Sequence, residues 1–293
     1  MREYVYKKAD AFTSGESLGN PAASLYLNEG HTLAPEEMLR IAKAHQGFVS
    51  EMVYCRPSEK GGFHLTYYSS QCEVDFCGHG TIACMYELIK ANPSLLLQKE
   101  IPLHTNLKGD LMLYNEIPAE DAVYVAAPLP REYRVTLSRV DIAKALAAGE
   151  DDLQSPLPLD LIDAGLKTLI VPVANLSGEI SLWPNEQELK AFCRMHGLDI
   201  ILIFSMERAD TQNIAHTRVF APKFGYLEDP ATGSGNSAFG YYLLKNGLWN
   251  GEPVSIEQGG EDRVYNRVCL SAPGGRVRFG GRAALRISGT YYL

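Results

Sequence analysis

Two short runs concentrate the residues able to hold an acid and move a proton: Cys77-Gly78-His79-Gly80 and Thr232-Gly233-Ser234-Gly235. In each, a Gly-x-Gly turn opens what reads as a helix. Such a turn aims unpaired backbone N–H groups outward with the positive end of the helix dipole behind them, so the favoured guest is an anion such as a carboxylate or phosphate. The glycines do not make a nucleotide fingerprint, because Gly233 and Gly235 are followed by Gly240 rather than by a glycine three residues on, and the Walker pattern is absent. The two runs belong to a longer repeat. When 77–90 is laid on 232–245, Gly78/Gly233, Gly80/Gly235, Ala83/Ala238, Tyr86/Tyr241, Leu88/Leu243 and Lys90/Lys245 coincide. Two such turns facing each other would hold one small acidic molecule from both sides.

The copies differ where chemistry needs them to. Cys77 stands opposite Thr232, and His79 opposite Ser234. A second overlay, Leu39–Tyr54 on Leu189–Phe204, places Glu51 opposite Ile201. A carboxylate in the run Val49-Ser50-Glu51-Met52-Val53-Tyr54 either faces solvent or sits in a pocket, where partial burial would suit it to general acid/base work. Asp229, three residues before Thr232, either caps a helix or takes part in that chemistry. Cys77 is either a small buried hydrophobe or, at a helix N-terminus, a thiol with a lowered pKa.

The elements that must position these residues alternate between short strands and few helices. Tyr4–Phe12 and 20–27 read as strands, 35–45 as a helix with Met38, Leu39, Ile41 and Ala42 as its apolar stripe, and 50–55 and 63–68 as strands before the first turn. Strands follow near 111–114 and 122–126. The second half repeats the plan: strand 165–174, helix 186–196, strand 215–220, the second turn and its helix, then strands near 254–257, 276–279 and 284–291. The Pro-rich, acidic stretch between Pro128 and Pro158 is the expected boundary, giving lobes 1–128 and 129–293, with the last strand free to return to the first lobe.

Composition narrows the classes. A net charge of -8 with no Lys/Arg cluster argues against nucleic-acid binding. The longest apolar runs, such as 168–174 and 200–204, are too short for a membrane span, and Met1-Arg2-Glu3-Tyr4-Val5 lacks a signal-peptide core, so a cytoplasmic protein is expected. The six cysteines show no disulfide framework. Cys72, Cys77, His79 and Cys84 crowd together, but their spacing is not that of paired zinc ligands, and no metal is assigned.

Read in order, Phe12-Thr13, Gly19-Asn20-Pro21-Ala22-Ala23, Ser50-Glu51, Cys77-Gly78-His79-Gly80-Thr81 and Glu228-Asp229-Pro230-Ala231-Thr232-Gly233-Ser234 resemble the phenazine-biosynthesis PhzF-like family. That family belongs with diaminopimelate epimerase and proline racemase in one superfamily. Gln258-Gly259 matches its late Gln-Gly turn, and the resemblance runs from about residue 4 to the C-terminus. It implies an α+β fold of two pseudo-symmetric lobes, each a bent sheet or barrel around a central helix, with the active site in the cleft between them. It also implies a homodimer and no cofactor. By the same resemblance Glu51 moves a proton between carbons of a small carboxylated substrate, while His79, Asp229 and Ser234 line the substrate or assist. Asn20, Cys77, Thr232 and the backbone amides at Gly78–His79 and Gly233–Ser234 contribute to binding it. Preplaced N–H donors there would stabilise charge pushed onto a carboxylate when the adjacent carbon loses its proton.

Superfamily racemases resemble one another in using two opposed cysteines. Thr232 in the second place speaks against that chemistry, because a hydroxyl has too high a pKa to replace a thiol near neutrality. An isomerase with a single base at Glu51 fits better. A one-base epimerase or hydroxy-amino-acid dehydratase using Cys77 stays open, as does a non-catalytic small-molecule binder that keeps the fold. Gly80 and Gly235 stand where the family often has alanine, which is expected to loosen both turns.

Overall fold

The fold is given by a computed structural model that describes residues 1–28, 30–149, 151–260 and 264–293. The chain divides into two compact units, 1–126 with 280–293, and 127–279. The first contains β1 (Glu3–Ala11), β2 (Asn20–Tyr26), α1 (Pro35–Ala44), β3 (Glu51–Pro57), β4 (Phe63–Ser69), β5 (Glu73–Val74), α2 (Gly78–Lys90), the short α3 (Pro93–Leu96), β6 (Glu100–Thr105), β7 (Gly109–Asn115), α4 (Ile117–Glu120) and β8 (Val123–Ala126). The second contains β9 (Arg131–Tyr133), α5 (Arg139–Ala145), β10 (Asp160–Asp163), β11 (Lys167–Pro172), α6 (Leu176–Ser181), α7 (Glu186–His196), β12 (Ile200–Ser205), β13 (His216–Phe220), β14 (Glu228–Asp229), α8 (Gly233–Lys245), β15 (Val254–Gln258) and β16 (Asn266–Ser271). Through β17 (Arg278–Gly281) the chain passes back to the first unit, where β18 (Ala283–Tyr292) lies antiparallel on β1.

The sequence repeat is a topological repeat. In the first unit β1-β2-β3-β4-β6-β7 pair in the succession antiparallel, parallel, antiparallel, parallel, antiparallel. In the second, β10-β11-β12-β13-β15-β16 pair in the same succession. Helices α1 and α7 occupy equivalent crossovers, each leading into a parallel strand, as Leu39–Tyr54 over Leu189–Phe204 requires. Their ends follow from local chemistry. Pro35 starts α1, with the Glu37 carboxylate accepting the Ala34 N–H at 3.0 Å. Asn185 caps α7, whose end falls at Gly197, in the left-handed region at φ 62°.

The turn helices are the centres of their units. Helix α2 is buried on nearly every side and packs against β18, β1, β2, β3 and β8. Strands from both ends of the sheet order thus touch one helix, which a flat sheet does not permit. The sheet bends around it, and α8 is wrapped likewise by β10, β11, β12 and β16. The opposite sheet faces carry separate cores. Leu25, Met52 and Tyr54 pack on Ile41 of α1, and Leu169, Ile201 and Ile203 pack on Leu189 of α7.

Several elements lie beyond those the sequence suggests. Strand β6 contains Pro102, a residue that normally argues against a strand interior. Strands β10 and β16 and helix α5 are short, and their apolar residues are too few to stand out as a periodic pattern.

Candidate active site

Strand periodicity explains how Glu51 reaches the first turn. It opens β3, paired with Ser69. Met52 and Tyr54 face the α1 core, so Glu51 and Val53 face the other way, toward α2. Val53 would lie 2.8 Å from a Cβ on Gly80, which marks that face as the one against the helix start. Cys77 is the N-cap of α2, and its Sγ accepts the Gly80 N–H at 3.3 Å. Its carbonyl accepts the Thr81 hydroxyl at 2.7 Å, and Tyr67 bonds that hydroxyl in turn, so the turn is held from below.

Three ionisable groups meet there. Glu51 Oε2 lies 3.3 Å from His79 Nε2, and Cys77 Sγ lies 3.8 Å from Glu51 Oε2. The Cys77 Sγ is also 3.5 Å from His79 Nδ1 and 3.7 Å from Nε2, while Ser50 Oγ lies 3.3 Å from His79 Nε2. Cys77 is buried, but the Glu51 and His79 side chains keep 19% and 14% of their surface in solvent, enough for a small molecule to touch them. Glu51 therefore does not point away from Gly78. Asn20 opens β2, which runs parallel to β3 with Ala23 opposite Met52, so Asn20 and Glu51 begin at the same edge of the sheet.

Gly80 has a specific reason. A Cβ there would fall 2.9 Å from the Cys77 sulfur, so the glycine makes room for the thiol over the helix start. It tightens this turn rather than loosening it, contrary to the expectation from sequence. Ser50 and Gly80 were quoted as parts of motifs, but sequence alone gave neither a contact with His79 or Cys77.

The second turn is built differently. Thr232, not Asp229, is the N-cap of α8, and its side chain makes no capping bond. The capping role considered for Asp229 is thereby corrected: Asp229 ends β14 and accepts the Thr232 hydroxyl instead. Gln258 knits the turn together. Its carbonyl accepts the Thr232 N–H at 2.9 Å and the Asn236 amide at 2.7 Å, and its own amide donates to the Asp229 carbonyl at 2.8 Å and to the Thr232 hydroxyl at 3.1 Å. The Thr232 hydroxyl thus both donates and accepts inside the protein. Gly233 is fixed by the Phe279 ring, which would lie 2.4 Å from an added Cβ, and Ser234 is half-buried beside it. Gln258 and Asn236 are the residues sequence reasoning missed; the late Gln-Gly pair was their signal.

The second unit also holds its own acid–imidazole pair. Glu179 Oε1 and His216 Nδ1 face each other at 3.0 Å, both wholly buried and without hydrogen-bond alignment. Burial pushes the Glu179 carboxyl up to about 7, against the opposing effect of His216 and Arg218. Arg218, equally buried, makes a two-pronged bond to Glu228 at 3.0 and 2.7 Å and donates to the carbonyls of Glu179 and Leu182 at 2.8 and 2.7 Å. His216 and Arg218, two apart on β13 and so on one face of that strand, are the readable trace of this cluster.

Glu51, Cys77 and His79 also form a group compact enough for one metal ion, with ligand atoms within 4.8 Å of one another. The cysteine-rich set weighed from the sequence is not this group: Cys72 is exposed and Cys84 is buried within α2.

Two wrapped-helix units with matching topology, one carrying a carboxylate, a thiol and an imidazole at its helix start, define the diaminopimelate epimerase-like class of folds. The chain belongs to the phenazine biosynthesis-like (PhzC-PhzF) family, whose model matches residues 9–289. It is 26% identical over 283 residues to the uncharacterised isomerase YfhB of Bacillus subtilis, covering 95% of this chain and 94% of that one. It superimposes on a PhzF-family phenazine biosynthesis protein of Bacillus anthracis with a TM-score of 0.86, 25% identity and full coverage of both chains. At 10% identity and a TM-score of 0.61, with 100% of this chain and 93% of the other covered, it shares its fold with a hydroxyproline epimerase of Agrobacterium vitis. No helix among the described residues is long and apolar enough to cross a membrane.

Proposed function

We propose that this chain is an isomerase that moves a proton between carbons of a small carboxylated substrate, without a cofactor, and that Glu51 is its acid/base. The observation that carries this is the mostly buried but solvent-reachable Glu51 carboxylate held 3.3 Å from His79 at the start of a buried helix. A carboxylate in that place can take a proton from a carbon acid and return it to a neighbouring carbon, with His79 orienting it and sharing charge. The α2 amides at Gly78 and His79 offer a partial positive charge to a substrate carboxylate, favouring the transition state as negative charge grows on its oxygens. Names of relatives such as the isomerase YfhB point to the same reaction class. The parts of Asn20, Asp229, Thr232, Gly233 and Ser234 in substrate contact and a homodimer rest on family resemblance, and a cytoplasmic location rests on the short apolar runs of the sequence. The saturated hydroxyl of Thr232 makes it a poor acid or base.

The test is proton exchange in D2O over a panel of small carboxylic and amino acids, read by mass spectrometry or NMR. Deuterium should enter a carbon position with the native chain and not with Glu51→Gln. Undiminished exchange in Glu51→Gln removes Glu51 as the base. One observation favours a second reading: the Cys77 thiol touches both Glu51 and His79 and accepts a helix-start N–H, the environment of a reactive thiol. If Cys77→Ser abolishes exchange while Glu51→Gln retains it, the one-base epimerase or dehydratase chemistry at Cys77 is correct.

A further inference from the structure

We propose that Glu51, Cys77 and His79 form a zinc-binding site, and that zinc bound there blocks proton transfer at Glu51. The site is the one assigned above to catalysis, so the blocking rests on that reading, whereas the binding does not.

The argument is geometric. Tetrahedral zinc holds sulfur at about 2.3 Å and nitrogen or oxygen at about 2.0–2.1 Å, which sets its ligand atoms roughly 3.3–3.6 Å apart. Here Glu51 Oε2 and His79 Nε2 are 3.3 Å apart, and Cys77 Sγ lies 3.8 and 3.7 Å from them. The sulfur lies 3.5 Å from His79 Nδ1 and 3.7 Å from Nε2, beside the imidazole ring, so a turn of that ring is needed to aim one nitrogen at an ion shared with Cys77 and Glu51. The donors come from two rigid elements, the start of β3 and the first turn of α2, so the three-atom triangle exists before any metal arrives. Thiolate with imidazole selects zinc over magnesium or calcium, which take oxygen ligands. Cys77 and Glu51 together would bring two negative charges to the dication, leaving a neutral centre.

The Gly80 N–H already donates to the Cys77 Sγ at 3.3 Å, which fixes the sulfur over the helix start. Binding is a ligand exchange with no redox change: the Cys77 S–H bond breaks, an S–Zn bond forms, and the proton goes to the buffer. The fourth position stays open to water or to a carboxylate. The Glu51 lone pair that would take the substrate proton is then held by the metal.

Cobalt(II) reports the site directly, because a thiolate ligand gives it an intense near-ultraviolet charge-transfer band. Metal-freed protein titrated with Co2+, then with Zn2+ against a chromogenic chelator, should show one equivalent bound, a thiolate band, and release of about one proton per zinc. Cys77→Ser should lose the band, and His79→Ala should weaken zinc at least about 100-fold, beyond the roughly 10–100-fold caused by loss of an outer partner. Cys72→Ser, which removes the exposed thiol, should change neither. A band that survives in Cys77→Ser, or that disappears in Cys72→Ser, overturns the assignment, as does the lack of stoichiometric binding in the native chain. Circular dichroism of each variant separates ligand loss from misfolding, and Glu51→Gln, at the strand end that keeps some solvent contact, gives an independent weakening if Cys77→Ser does not fold. Normal D2O exchange without a cobalt band defeats the zinc site alone; a cobalt band without exchange defeats the isomerase reading alone. Exchange that continues at saturating zinc defeats the blocking.

Discussion

The two helix starts are copies in sequence and opposites in chemistry. At the first, Cys77, Glu51 and His79 bring three titratable groups together with part of their surface in water. At the second, Gln258 ties the turn together with amide bonds, and the Thr232 hydroxyl is satisfied on both sides. The same division holds for the two Glu–His pairs. Glu51–His79 is wet and accessible, while Glu179–His216 is sealed in the interior. Duplication made two equivalent turns. One became a place where protons can move, and the other a buried joint, because an unsatisfied polar group is tolerable beside water and costly away from it.

The sharpest way to break this comparison is to find catalysis indifferent to the first turn. Glu51→Gln is expected to lower the deuterium-exchange rate by about 10²- to 10⁴-fold with stability changed by less than about 0.5 kcal/mol, measured by urea unfolding. Next comes the buried acid. The Glu179 value in the folded protein, about 7, lies above its ordinary 4.5, so folding favours the protonated form. The associated stability is complete below about pH 4.5 and is lost as pH rises through about 7, an effect on the order of 3 kcal/mol. Glu179→Gln should remove that slope from unfolding free energies measured between pH 4.5 and 8.

A smaller effect tests the amide network. Gln258→Ala removes the acceptor of the Thr232 N–H, one of two acceptors of the Asn236 amide and the donor to the Asp229 carbonyl, and a loss of about 1–3 kcal/mol is expected from denaturant midpoints. Ser50→Ala, at the half-open first turn, should cost under about 0.5 kcal/mol. The smallest contrast lies in the glycines. Gly80→Ala forces a methyl against Cys77 Sγ and should cost about 1–3 kcal/mol while changing the alkylation rate of Cys77. Gly235→Ala, whose nearest neighbour would be Ile200 Cδ1 at 3.2 Å, should cost less than Gly80→Ala in the same assay. Equal costs would mean the two turns are equally packed.

Much of this was legible in the chain because duplication leaves a comparison inside one sequence. Gly78 against Gly233 marked the helix starts, and Glu51 against Ile201 marked a charge where its twin is core. What stayed hidden depends on distant residues. The late Gln-Gly pair marks Gln258 as notable but not that its side chain reaches the Thr232 turn, and Glu179 and His216 are brought together from α6 and β13, far apart in the chain. Gly80 read as a loosened turn because its effect depends on the sulfur of Cys77, three residues away along the chain but in contact across the helix start. Spacing reveals which positions are equivalent, and burial decides what each equivalent position can do.

The pairing of β1 with β18 has a consequence for how the molecule comes into being. Arg2 and Leu293 exchange backbone hydrogen bonds at 2.9 Å in both directions, so β1 waits for β18 to be made. The second unit, 127–279, is contiguous and can complete its own sheet while residues beyond it are still being synthesised. The first unit cannot, because its closing contact spans nearly the whole sequence and carries a loop-closure cost met only at the end. The contiguous second unit is thus the one able to fold early, and the proton site at the start of α2 matures last.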